Sequence, residues 1–244
     1  VFFKLIVVVL ITSVLDQSFT APSASAQLGV DAETAPPPAD PLAPFNEKMF
    51  WFNLKLDDYL LRPVATGYAK ILPLGARRGV DRFFNNVAVI PRVANNLFQL
   101  RLVGAGRELS RFVINTTIGG IGFFDVADSW LGLKPSPADF GQTLWKYGVP
   151  SGPYLVLPFF GPSTIRDAAG LTADVAMHPL NYIDVLSSVE WFAIRSGAQV
   201  TYAINYRSMN LELFEDVDRY AVDLYGAVQD AYFQRREREL QAVE

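Results

Sequence analysis

A chain of 244 residues, half of them hydrophobic and only 19% charged, has more apolar surface to hide than an average soluble domain, whose charged fraction is about 25%. Its net charge of −4 removes the basic field on which non-specific nucleic-acid binding depends, and no Arg/Lys run is interleaved with aromatics. With no cysteine, the chain holds no disulfide, no thiolate metal site and no Cys nucleophile.

At the N-terminus, Lys4 precedes an apolar run from Leu5 to Leu15, followed by polar residues and the small-residue pattern Ala24-Ser25-Ala26. That layout predicts a signal peptide over 1–26; the alternative, an uncleaved anchor, has a run shorter than the ~20 residues a span needs. Residues 27–44 include Asp31-Ala-Glu-Thr-Ala-Pro-Pro-Pro-Ala-Asp-Pro and read as an extended tether. A single folded domain is expected over 45–244. From Glu47 to Leu61 the apolar positions fall at helical spacing on both sides, so this helix wants apolar surroundings nearly all round, either in a membrane plane or in a core.

Helices are expected next at about 76–89, at 91–102 with Pro91 in a first turn, and at 104–118, where Ala105, Leu109, Phe112, Val113 and Thr116 share a face. Gly119, Gly120 and Gly122 then break the pattern. Near the C-terminus, Leu213, Val217, Tyr220, Ala221, Leu224, Val228 and Ala231 predict one amphipathic helix running on into a solvated end at Arg235-Arg-Glu-Arg-Glu.

From Tyr147 to Ile165 there is no charged residue, a length that would suit a membrane span, but Pro150, Pro153, Pro158 and Pro162 within it exclude a straight spanning helix. Two readings stand: a hairpin lining a water-filled pore, where non-helical backbone at membrane depth survives, or a short buried strand over Tyr154-Leu-Val-Leu157. Arg166-Asp167 directly after it is either an ion pair closing a turn or a polar mark at a pore mouth.

Carriers of chemistry are scarce. His178 is the only histidine and has no second imidazole or thiolate with which to share a metal, and Ser151 lacks the Gly-x-Ser-x-Gly elbow. No phosphate-binding loop occurs, and the adjacent Asp57-Asp58 point to different helix faces. The chain is therefore not expected to be an enzyme.

The stretch Asp40-Pro-Leu-Ala-Pro-Phe-Asn-Glu-Lys-Met-Phe-Trp-Phe-Asn with Leu61-Arg-Pro-Val-Ala resembles the N-terminal signature of the MlaA/VacJ family. The resemblance continues in order through Asn115-Thr-Thr-Ile-Gly-Gly, Gly122-Phe-Phe-Asp-Val-Ala, Phe140-Gly-Gln-Thr-Leu, Tyr147-Gly, Gly152-Pro-Tyr-Leu-Val-Leu-Pro, Gly161-Pro-Ser and Arg166-Asp167, and Ala231-Tyr-Phe-Gln-Arg is similar too. It implies a mainly α fold: a flat ring of amphipathic in-plane membrane helices around a central channel, with an apolar Pro/Gly-rich hairpin. It also implies an outer-membrane location on the periplasmic side, and removal of mislocalised phospholipids from the outer leaflet to maintain lipid asymmetry. The implied partners are phospholipid, a trimeric outer-membrane porin and a soluble periplasmic carrier that serves an inner-membrane ABC transporter, with no cofactor. By the same resemblance, Phe52, Asn53 and Leu54 fall near the channel and its gating. The hairpin bordering the pore carries Tyr147, Tyr154, Leu155, Leu157, Arg166 and Asp167. The family's lipidated N-terminal cysteine has no counterpart here, so anchoring is expected to rest on the helices. A soluble periplasmic lipid-binding protein is the alternative, in which the aromatic segments line a closed pocket.

Overall fold

The structure is a computed structural model that describes residues 40–179, 188–220 and 223–243. The expected signal peptide and the tether as far as residue 39 lie outside the described residues. The tether's last residues are already folded in. The Asp40 carboxylate accepts hydrogen bonds from Leu42 N, from Asn46 Nδ2 and, at 2.6 Å, from the Tyr225 hydroxyl.

Helix α1 (Ala43–Leu56) starts with Pro44 in its first turn, where the missing N–H costs nothing. It widens into a π-helical stretch over Asp57–Leu61 before α2 (Arg62–Ile71). Pro63 accounts for the widening. Its ring crowds the carbonyl four residues back and offers no donor to it, so the ladder shifts and Arg62 N donates to Asp57 O instead. The shift brings Asp57 to Arg207, with two hydrogen bonds of 2.8 Å. Helices α3 (Leu74–Val87), α4 (Val89–Phe98) and α5 (Leu102–Thr117) follow, close to the expected spans, and a single turn α6 (Val126–Ser129) is capped by Asp125.

After α7 (Phe140–Lys146) comes the one sheet among the described residues, an antiparallel hairpin of β1 (Tyr154–Leu157) and β2 (Gly161–Thr164), in register Tyr154 to Thr164 and Leu157 to Gly161. The strand reading of Tyr154–Leu157 is the observed one, with Tyr154 and Val156 buried and Leu155 and Leu157 half-buried. Helix α8 (Ile165–Met177) leaves β2 directly, its N-terminus capped by Thr164. Helix α9 (Ser188–Met209), α10 (Leu211–Tyr220) and α11 (Leu224–Gln241) complete the chain.

The C-terminal region departs from the single amphipathic helix expected. Asp223 takes an extended backbone and caps a new helix by accepting from Gly226 N at 3.1 Å, so the stripe from Leu213 to Ala231 is divided between α10 and α11. Nor is the Arg235-Arg-Glu-Arg-Glu end wholly solvated, because Arg236 is 4% exposed. The periodicity registers that an Arg can share the inward face but not what it meets there.

What Arg236 meets is a pair of helix starts. Its guanidinium takes Asp139, the N-cap of α7, through bonds of 2.6 and 2.8 Å, and Asp167, in the first turn of α8, through bonds of 2.8 and 3.1 Å. Arg166 and the Tyr232 hydroxyl add to Asp167 at 3.0 and 2.6 Å. The cluster fits because α7 and α8 cross at Gly141 and Gly170, where the backbone of Gly141 occupies the space a Cβ on residue 170 would need. Above this cluster sits a small apolar core of Phe50, Tyr154, Val156 and Tyr232, joining α1, the hairpin and α11.

Burial would by itself raise the Asp167 carboxyl, but the charge and hydrogen bonds of Arg236, with those of Arg166 and Tyr232, hold it at about 2 against an ordinary 3.8. A carboxyl depressed in the folded state contributes stability that is complete above its unfolded value and is lost as pH falls through the folded one. Thermal unfolding in detergent should therefore lose on the order of 2 kcal/mol of stability from this group between pH 5 and pH 2. An Asp167→Asn variant should be weaker at pH 7 and flatter across that window; an equal slope in both proteins would place the acid sensitivity elsewhere.

Candidate functional site

The distribution of polarity is inverted. Among the largest fully buried side chains of the described residues, seven are polar and one, Val156, is apolar: Gln99, Glu108, Asn46, Asn95, Asn96, Asn205 and Thr164 lie inside. Large apolar residues lie outside, with Ile71, Leu100, Val103 and Trp130 all more than 70% exposed. Helix α5 carries both halves of the pattern. Gly104, Glu108 and Asn115 are buried along one side, with Arg111 beside them, while Leu102, Leu109 and Val113 are 69%, 54% and 52% exposed on the other. Of the residues expected to share a face on this helix, Leu109 and Val113 thus look outward and Ala105 alone is fully buried.

The buried polar face borders a cavity of about 460 Å³ lined from α3, α4, α5, α7, α8 and the loop before α7. Its wall is tied by charge-assisted hydrogen bonds. Glu108, 1% exposed, accepts from Arg92 Nε at 2.8 Å and from Ser136 N at 2.6 Å. Arg111 reaches Asp125 at 2.8 Å, and Asn115 donates to the same carboxylate at 2.9 Å while accepting from Ala127 N. Burial would raise the Asp125 carboxyl, yet the Arg111 and Asn115 contacts outweigh it and lower it, so Asp125 is ionised at neutral pH. Asp81 shows the opposite balance: burial pushes it up further than its Asn85 hydrogen bond and the Arg82 charge pull it down. Behind the wall, α4 presents Asn95 to Asp174 at 2.6 Å and to Thr143 at 2.9 Å, and Asn96 to the Ser136 carbonyl at 2.9 Å. Amides buried this deeply are tolerable because their hydrogen bonds are made.

The site residues expected from the sequence fall into four places. Asn53 clasps the hairpin turn, donating to Leu157 O at 2.9 Å and accepting from Phe159 N at 2.7 Å, and the Phe52 ring meets Phe159 edge-on at 5.4 Å. Leu54 is half-buried on the same helix. Tyr154, with Leu155 beside it in β1, packs into the aromatic core, while Arg166 and Asp167 belong to the Arg236 cluster. Tyr147 stands apart, 65% exposed, with its hydroxyl donating to Phe98 O. None of the nine lines the cavity. His178 does line it, and Ser151 instead offers its carbonyl to Arg166 N.

The sequence reading missed Asn46 and the cavity wall. Asn46 lies seven residues, two turns, before Asn53 and grips β1 in the same way, donating to Tyr154 O at 3.0 Å and accepting from Val156 N at 2.8 Å. That spacing was a readable signal. So was Gly104, Glu108, Arg111, Asn115, a polar stripe at helical period in a chain too apolar to need one outside. Among the described residues no helix is long and apolar enough to cross a membrane, and no group of His, Cys, Asp or Glu could hold a metal ion.

Asn46→Ala should leave the buried Val156 N–H without an acceptor and cost roughly 1–3 kcal/mol, read as a lower denaturant midpoint in detergent. Asn53→Ala, at the more exposed turn, should cost less. Equal midpoints for Asn46→Ala and the parent chain would mean that the clasp is not what seats α1.

The family model described as MlaA lipoprotein matches residues 38–239. The chain is 36% identical over 206 residues to the intermembrane phospholipid transport system lipoprotein MlaA of Shigella flexneri and 35% identical to that of Escherichia coli, in each case covering 82% of this chain and 77% of the relative. It is also 35% identical to an uncharacterised protein of Rickettsia prowazekii, over 84% of this chain and 79% of that one. A solved structure reported as the "Structural basis for maintenance of bacterial outer membrane lipid asymmetry" superposes with a TM-score of 0.66 at 32% identity, covering 84% of this chain and all of that one.

Proposed function

The chain belongs to the MlaA lipoprotein family, and on that footing we propose that it serves intermembrane phospholipid transport, taking mislocalised phospholipid out of the outer leaflet of an outer membrane. The observation that carries the reading is the inverted burial: apolar side chains outside and, inside, a cavity whose wall sets buried charges and amides among apolar residues such as Val89, Phe112 and Leu171. A soluble protein gains nothing from that arrangement, whereas a protein immersed in acyl chains must satisfy its polar groups internally.

In this reading α3, α4, α5, α7 and α8 form a ring lying in the inner leaflet. Helix α5 supports the orientation. Its 16 residues are about 24 Å long, short of the ~30 Å hydrocarbon core, and the exposed apolar stripe runs along one side from end to end. A lipid headgroup passes the cavity, where paired charges exchange hydrogen bonds with it, and acyl chains follow the apolar flank. The hairpin carrying Tyr154, Leu155 and Leu157, with Phe52, Asn53 and Leu54 clasped to it, borders the path and governs its opening; Tyr147, Arg166 and Asp167 fix its two ends. A trimeric porin holds the ring in place and a soluble periplasmic carrier receives the lipid. No nucleotide is needed where the lipid runs downhill from the wrong leaflet. The chain acts as a transport component.

Cells lacking the protein should accumulate surface phospholipid, read by a surface-accessible phospholipase or acyltransferase, and a restored copy should reverse the rise. Normal surface phospholipid together with release of the protein by high-salt washing of membranes would favour the soluble lipid-binding alternative instead.

A further inference from the structure

Two turns that flank α5 hold large apolar residues in backbone conformations that favour glycine. Leu100, at φ +60°, ends α4 in a reversal where Leu100 N donates to Leu97 O and Arg101 N to Asn96 O. The end of α7 makes the same reversal, Gly148 N to Trp145 O and Val149 N to Leu144 O, with a glycine at the left-handed position. At the other end of α5, Ile121 at φ +59° sits between Gly120 and Gly122, both also at positive φ. A β-branched residue is especially disfavoured there.

Burial of neither side chain offsets this strain. Leu100 is 74% exposed and Ile121 64%, and the apolar stripe of α5 lies between them. The stretch of chain that contains both turns is basic as well. Residues 62–134 carry ten Lys or Arg against four Asp or Glu, a net +6 in a chain of net −4. Among the described residues Lys70, Arg78 and Arg107 make no ion pair, and all three are exposed. Exposed apolar tips in a stretch of chain that also carries unpaired cations complement acyl chains beneath a layer of phosphates.

Building on the membrane seat proposed above, we infer that Leu100 and Ile121 are lipid-contacting anchors, kept apolar at the expense of fold stability, that fix the depth of α5 in a phospholipid monolayer. Glycine at either position relaxes the backbone and removes the anchor, so stability and membrane retention move in opposite directions. An anchor that was merely a packed side chain would lose both together.

The absence of cysteine allows the test on the whole chain with single labels. Leu100→Cys and Ile121→Cys proteins, each carrying an environment-sensitive fluorophore, are placed in phosphatidylethanolamine–phosphatidylglycerol vesicles with brominated acyl chains. Quenching several-fold stronger than at an Arg238→Cys label, and a Leu100→Gly/Ile121→Gly protein that melts no lower in detergent yet leaves vesicles at a several-fold lower urea concentration, are expected. Quenching no stronger than at position 238, or a double-glycine protein that melts lower and stays bound, overturns the inference. Labels that are unquenched in vesicles but become shielded when trimeric porin is added overturn it in favour of a protein contact. If the parent chain itself fails to bind vesicles, the membrane seat falls; if it binds and the variants behave like it, only the anchors do.

Discussion

All five N–H donors of Arg236 are used, on Asp139, Asp167 and Glu239, and the rest of the molecule is arranged around that closure. One side chain from α11 joins the beginnings of α7 and α8, the two helices that precede and follow the hairpin. Because Asp139 also lines the cavity, the same contact that secures the C-terminal helix sets one edge of the cavity wall. A cation buried to this degree is stable only with its carboxylates ionised and in place, so α7, α8 and α11 are expected to fold as one unit.

The same logic extends through the interior. Arg92 with Glu108, Arg111 with Asp125 and Arg207 with Asp57 are charge pairs at the inner surfaces of helices whose outer surfaces carry Leu, Val, Ile and Phe. A molecule so built keeps these charges inside and turns apolar side chains outward, the arrangement on which the proposed passage of a charged headgroup rests. The Asn46 and Asn53 clasps hold the hairpin to α1 by side-chain-to-backbone bonds, beside the core that Phe50, Tyr154 and Val156 share with α11.

Much of this was legible in the sequence, and the parts that were not have definite physical reasons. Pro and Gly spacing between Tyr147 and Ile165 announced a hairpin, and periodicity located α3, α4 and α5 to within a few residues. Apolar periodicity says that a helix has two faces; it does not say which is inside. On α5 the outward face is the apolar one, and only the polar stripe through Glu108 and Arg111 reveals it. The new start at Asp223 was hidden because residues on either side keep the same stripe, so the cap, not the pattern, marks where α11 begins. The ion cluster was hidden because Asp139, Asp167 and Arg236 are far apart in sequence and meet only through the close crossing at Gly141 and Gly170.

The central claim is that lipid passes the cavity itself. A photo-crosslinking amino acid placed at Phe112, which lines it, tests this in living cells. The account predicts ultraviolet-dependent attachment of phospholipid at position 112 and none at exposed Glu237 on α11. Attachment at neither position, in a protein that still restores normal surface phospholipid to deletion cells, would contradict it.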